Sequence, residues 1–146
     1  MKTPKSILLV EDNKHDQFFF IEALSEIENV TIYDVANNGK EALDKLKKST
    51  VLPDIIFTDI NMPVMGGIEC LTKIIKTPVI KNIPVVILST DITKIELVRK
   101  LGAKAFIKKP CEYKILKEQL EIVINLDFIT DIHLANQTFQ TALSAF

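Results

Sequence analysis

Short apolar runs alternate along the chain with longer stretches of helical spacing. Ser6–Val10, Thr31–Ala36, Asp54–Thr58, Pro84–Leu88 and Ala105–Lys108 are rich in Val, Ile and Phe and predict five strands. Between and after them, apolar residues recur at three- and four-residue spacing. Phe20, Leu24 and Ile27 share one helical face, then Ala42, Leu43 and Leu46, then Ile68, Leu71 and Ile75. Ile95, Val98 and Leu101 define a fourth helix, and Leu116, Leu120 and Val123 a fifth. Asn13 with Asp16 and Asn38 with Glu41 read as N-caps with an acidic first turn. Thr93 with Glu96 reads as a capping box, and Gly102 as a C-terminal stop. Strands alternating with helices predict βαβ units, hence a doubly wound α/β domain with helices on both faces of a parallel sheet. "ILLV", "IIF" and "VVIL" are apolar throughout, as strands buried on both sides should be.

Sheets of this kind collect functional loops at the carboxyl ends of their strands. Four of those ends carry chemistry. Glu11-Asp12 follows the first strand, Asp59 and Ile60-Asn61-Met62-Pro63 the third, Ser89-Thr90 the fourth, and Lys109-Pro110 the fifth. Three carboxylates brought together repel one another unless a cation neutralises them. Magnesium suits such a site, because it takes a few hard oxygen ligands and keeps several waters. Glu11, Asp12 and Asp59, with a backbone carbonyl such as that of Asn61, form a partial shell for Mg2+, or for Mn2+ in its place. Lys109 supplies an ammonium and Ser89 a hydroxyl to the same patch, a set equipped for phosphoryl transfer. Taken singly, each is an ordinary cap, turn or solvated-loop residue. Together, at four strand ends, they form a specific constellation.

Composition narrows the setting. The chain has 146 residues, enough for one domain with a full core, with 47% apolar and 25% charged residues. A formal net charge of -1 gives no electrostatic reason to expect nucleic acid or an anionic membrane as partner. The first apolar run, Ile7 to Val10, is too short and too soon followed by acids for a signal peptide, and no stretch approaches a membrane span. Cys70 and Cys111 lie far apart and outside any metal-ligand spacing. They are expected to be buried or half-buried thiols of a cytoplasmic protein.

The segments "ILLVEDN", "PDIIFTDINMPVMGGIECL", "IPVVILST" and "LGAKAFIKKP" resemble the receiver domains of two-component response regulators, in order and in spacing. The resemblance covers about residues 5–125. It implies a flavodoxin-like fold with strand order 2-1-3-4-5, a receiver domain over residues 1–126 and a short helical tail over 127–146. It further implies that Asp59 is the phosphoacceptor, that Glu11, Asp12, Asp59 and the Asn61 carbonyl hold the metal, and that Lys109 pairs with a phosphoryl oxygen. Ser89 and Phe106 would be the switch pair, Gly66 would help the loop after Asp59 turn, and the Lys109-Pro110 peptide would be cis. Thr90 stands where the family more often has Ala or Gly, so it would narrow access of water to the acyl phosphate. Phe106 lacks the hydroxyl an inward ring could use. The implied donor is a sensor histidine kinase or a histidine phosphotransfer protein. The implied output face is the fourth helix, fifth strand and fifth helix, read by a downstream protein rather than by nucleic acid or membrane. Both a monomer and a homodimer are compatible with the sequence.

After the fifth helix, Phe128, Ile132, Ala135, Phe139, Leu143 and Phe146 are spaced as one helical face. This tail is expected to pack onto the fifth helix, whose Ile115, Ile122 and Leu126 form a second apolar stripe; a partner or dimer surface is the alternative. Phe18 and Phe19 form a second candidate patch, and His15 and His133 receive no role. Two competing activities fit less well. A flavin carrier needs a phosphate cradle after the first strand, where Glu11-Asp12 would repel an anion. An Asp-based phosphohydrolase usually needs an acid two residues beyond its nucleophile, and here that residue is Asn61. The remaining alternative is a receiver-like adaptor that signals without phosphorylation, against which the set Asp59, Ser89 and Lys109 argues.

Overall fold

Successive residues of each apolar run project to opposite sides of one sheet, and helices cover both sides. The computed structural model describes residues 3–144. Its elements are β1 (Lys5–Val10), α1 (Lys14–Ser25), β2 (Val30–Ala36), α2 (Gly39–Lys48), β3 (Ile55–Thr58) and α3 (Gly67–Ile75). These are followed by β4 (Val85–Ser89), a single 3-10 turn (Ile92–Lys94), α4 (Ile95–Leu101), β5 (Ala105–Lys108), α5 (Tyr113–Ile124) and α6 (Ile132–Ser144). All neighbouring strands are parallel, in the order β2-β1-β3-β4-β5. This is the expected flavodoxin-like order.

Ile7, Leu9, Phe57, Val86, Leu88 and Ile107 face α1 and α5, where Phe20, Leu24, Leu116 and Leu120 meet them. Phe20 and Phe57 contact edge to face, with centroids 5.2 Å apart. Leu8, Val10, Ile56, Ile87 and Phe106 face the other layer, built from Leu43 and Leu46 of α2, Leu71 and Ile74 of α3, and Val98 of α4. Full burial of each such side chain contributes about 1.5–3 kcal/mol, enough to fix which way every strand faces. Register then sets the site: Val10 lies opposite Thr58, Thr58 opposite Ile87, and Ser89 opposite Lys108. The strand tips therefore end nearly level, and the loops beyond them converge.

The helix ends follow local chemistry. Asn13 Oδ1 accepts from the Asp16 N–H at 2.9 Å and Asn38 Oδ1 from the Glu41 N–H at 3.0 Å, as their sequence positions predict. Gly102 ends α4 with φ 114°, a left-handed conformation that favours glycine. The expected Thr93 capping box does not form. Asp91 caps first, with its carboxylate accepting from the Thr93 N–H, so the chain makes one 3-10 turn and α4 begins only at Ile95. The buried stripe of α3 is also turned relative to expectation: Gly67, Cys70, Leu71 and Ile74 face inward, while Ile75 is exposed. Gly67 passes so close to the Asp59 carbonyl that no side chain fits there.

α6 does not pack on α5 as expected. It lies along β5, the sheet edge, and against α4, burying Ala135, Phe139 and Ala142. Of the stripe expected to receive it, Ile115 and Ile122 remain exposed, while Leu126 is buried. An edge strand carries backbone groups in need of partners, and α6 provides one: the Phe106 N–H donates to Thr138 Oγ1 at 3.0 Å. Of the predicted tail face, Ile132 and Leu143 point largely to solvent, Phe128 packs against the layer of α1 and α5, and Phe146 lies outside the described residues.

The two cysteines are free but unlike each other. Cys70 is buried, and burial pushes its thiol up to about 12. Cys111 is exposed, contrary to expectation, because it sits in the turn between β5 and α5. A thiol reagent at neutral pH should therefore modify Cys111 alone in the folded chain and both cysteines only after denaturation, since the thiolate is the reacting form. Mass spectrometry of the labelled peptides checks this; label on Cys70 under native conditions would contradict it.

Candidate functional site

The convergence of strand tips places an ammonium among carboxylates. Lys109 Nζ lies 2.6 Å from Glu11 Oε1, 2.9 Å from Asp59 Oδ2 and 3.0 Å from Asp16 Oδ2. Its position is fixed from behind, where the Lys109 N–H donates to the Ser89 carbonyl at 3.0 Å and extends β5 beyond its last ladder pair. The second oxygen of Asp59 accepts from the Ile60 N–H at 2.7 Å, so both ends of this carboxylate are held. Glu11, Asp12 and Asp59 each offer an oxygen within 4.8 Å of the others, with Glu11 buried, Asp59 half-buried and Asp12 exposed. The site is thus closed at the back and open at Asp12.

Charge is not balanced here. Four carboxylates face one ammonium. Burial raises the Glu11 pKa above the ordinary carboxylate value, and the bond to Lys109 opposes that rise only in part. Burial also works against the charge of Lys109, but hydrogen bonds to Glu11, Asp59 and Asp16 outweigh it and hold the ammonium firmly protonated. The excess of hard oxygen donors around one open position fits a divalent cation such as Mg2+ or Mn2+.

Other predicted residues occupy the surroundings. Ser89 is buried at the end of β4, and its hydroxyl accepts from the Asp91 N–H at 3.1 Å. Thr90 follows it and is exposed, and Asn61 is exposed in the loop after Asp59 with its side chain toward Asp91. Phe106 is buried beneath α6 and already points into the core. The Lys109-Pro110 peptide is trans, contrary to expectation, as is every peptide bond among the described residues. The trans form is the favoured one even before proline, and Lys109 reaches its three carboxylates without the other isomer. Gly66 adopts an ordinary negative φ, so its value lies in close approach: a Cβ there would stand 2.6 Å from the Ile60 carbonyl oxygen. At Gly67 the same test gives 2.0 Å to the Asp59 carbonyl oxygen, so both glycines let α3 begin directly under the Asp59 loop.

Asp16 and Gln17 were not singled out in the sequence. Asp16 read only as a first-turn acid, yet the Asn13 cap turns it toward Lys109. Gln17 continues the Phe20 and Leu24 stripe backward by one turn, a polar residue on a buried face, which is a legible signal. It is buried and donates to the Glu11 carbonyl and to Asn37 Oδ1, fixing the backbone beneath the acidic pair.

A parallel five-stranded sheet with this acidic pocket at its strand tips defines a class of signalling domain, and the comparisons agree. The response regulator receiver domain model matches residues 7–121, and the chain belongs to that family. Chemotaxis protein CheY of Treponema pallidum is 35% identical over 127 residues, covering 83% of each chain. The protein-glutamate methylesterase/protein-glutamine glutaminase of Bacillus subtilis is 33% identical over 128 residues, but this chain spans only 34% of its length. Among solved structures, the phosphorylated cyanobacterial phytochrome response regulator RcpA superposes with a TM-score of 0.75 at 32% identity, over 83% of this chain and 91% of that one. The Mn(2+)-bound form of response regulator Rcp1 gives 0.74 at 27% identity, over 87% and 96%. The chain is a receiver domain of the response regulator type, a signalling switch.

The charge imbalance has a stability consequence with opposite signs at two positions. In the absence of divalent metal, Lys109→Met should destabilise the fold by about 1–3 kcal/mol, because Glu11 and Asp59 lose a charged partner while remaining largely buried. Asp12→Asn, which removes an exposed carboxylate from the cluster, should leave stability unchanged or raise it. Urea unfolding in chelator measures both; a stabilised Lys109→Met would contradict the described balance.

Proposed function

We propose that this chain accepts a phosphoryl group on Asp59 from a phosphohistidine donor in the cytoplasm, with Mg2+ held by Glu11, Asp12, Asp59 and the Asn61 carbonyl. The observation that carries this reading is the Lys109 ammonium at 2.9 Å from Asp59 Oδ2, with Glu11 buried beside them and Asp12 on the open side. Family membership and the Mn(2+)-bound Rcp1 neighbour support it. A metal bound there would neutralise charge on the transferring group. Residues of this chain supply the rest. The Asp59 carboxylate forms the new P–O bond as the P–N bond of the donor breaks, and the donor imidazole keeps the electron pair and takes a proton. Lys109 passes from carboxylate to phosphoryl oxygen without changing its charge. Ser89 exchanges the Asp91 N–H, which its hydroxyl accepts, for a bond in which that hydroxyl donates to the phosphoryl group. Thr90 narrows the approach of water to the acyl phosphate.

Each charge-assisted bond contributes about 1.5–3 kcal/mol. Reversing a two-state population from 1:99 to 99:1 takes about 5.5 kcal/mol, so Lys109 and Ser89 must act together. The chain acts in this reading as a switch that turns over only its own phosphate, with a sensor kinase or phosphotransfer protein upstream and a protein target downstream. The division into a receiver domain over residues 1–126 and a tail over 127–146 belongs to the same reading.

Incubation with acetyl phosphate or phosphoramidate and Mg2+, followed by intact mass measurement, tests it. A labile phosphate-sized gain is expected, abolished by chelator and absent from Asp59→Asn. An unchanged mass with both donors would instead favour an adaptor that works without phosphorylation.

A further inference from the structure

The family match ends at residue 121, within α5, so α6 is an addition to the shared fold. It is attached through one narrow face. Ala135, Phe139 and Ala142 are buried against β5 and α4, Thr138 Oγ1 accepts from the Phe106 N–H, and the Arg99 guanidinium of α4 stands 5.6 Å from the Phe139 ring centroid. Flanking that stripe, Ile132, Leu134 and Leu143 are substantially exposed.

The turn that carries α6 is closed by its own hydrogen bonds. Asp127 Oδ1 accepts from the N–H groups of Ile129 and Thr130, and Asp131 Oδ2 from that of Asp127. Phe128 stays anchored against the layer of α1 and α5. The helix can therefore leave from Asp131 onward while the turn keeps its form. On the α5 side the fit is incomplete. A cleft of about 220 Å³, lined by Gln119, Ile122 and Leu126 on one side and by Leu134 and Thr138 on the other, separates α5 from α6.

We propose that α6 is a detachable intramolecular ligand. It occupies a helix-binding face formed by β5 and α4, so another helix with the same small–aromatic–small pattern must displace it to dock there. Ala135, Phe139 and Ala142 define that pattern, with a hydroxyl at position 138 to take the free N–H of the edge strand. Such competition lowers the apparent affinity of an incoming helix by the fraction of molecules whose face is open. Phe106, which α6 covers, lies three residues before Lys109, so the face adjoins the acidic pocket. The proposal does not depend on phosphorylation and is tested without it.

The probe is a fluorescent peptide of residues 131–144, added to the full chain in native form and as Phe139→Ala. Saturable binding is expected for Phe139→Ala and about tenfold weaker binding for the native chain, whose own α6 competes. Amide exchange gives the second readout: the Phe106 N–H should exchange faster in Phe139→Ala and slow again when peptide is added. Thr138→Val, which removes only the hydroxyl, serves if Phe139→Ala does not fold, and the same order is expected. Equal binding to native and variant chains would overturn the proposal, as would no binding to a folded variant. Concentration-dependent exchange of α6 between two native chains would also overturn it, by making the ligand intermolecular.

Discussion

One ammonium holds this site together. Lys109 projects from the end of β5 into carboxylates contributed by the loop after β1, the start of α1 and the end of β3, and it bonds to all three. Removed from that point, Glu11 and Asp59 would face each other as like charges with no cation between them. The sheet makes the arrangement unavoidable. Once the apolar runs of β1, β3, β4 and β5 are buried on both sides, register brings Val10, Thr58, Ser89 and Lys108 to one end, and the next residues have nowhere to go but the same patch.

Much of this was legible in the residues. The continuous apolar runs predicted a doubly covered parallel sheet, the two Asn caps predicted where α1 and α2 begin, and the four strand ends predicted a single acidic pocket with Lys109 in it. Strand order came from family resemblance, because periodicity does not say which strands are neighbours. The misses share a cause: each depended on a contact between distant segments. Asp91 capped ahead of Thr93, Gly67 came to lie against the Asp59 carbonyl, and the helical pattern of the tail could not say which surface it covers. Gln17 was the exception, since its place on the stripe of Phe20 and Leu24 was visible all along.

The tail changes how the outer face is understood. Family resemblance points to α4, β5 and α5 as the surface read by partners, yet β5 here is already covered by α6, and Phe106 already lies inside. An edge strand left open invites pairing with other chains, and a helix laid along it is one of the ways proteins close such an edge. The same helix is held by Ala135, Phe139 and Ala142, by the Thr138 hydroxyl and by the Arg99 guanidinium over the Phe139 ring. Closure of an edge and control of access to it therefore reside in one element.

The central claim is that the carboxylates around Lys109 form one cation site at the strand tips. Paramagnetic broadening by substoichiometric Mn2+ in the amide spectrum of the isotopically labelled chain addresses it most directly. Broadening should begin at Glu11, Asp12, Asp59, Ile60 and Asn61, and should weaken sharply in Asp12→Asn. Broadening centred elsewhere on the molecule, with those amides untouched, would show that Lys109 balances an ordinary acidic cluster and that no metal site exists there.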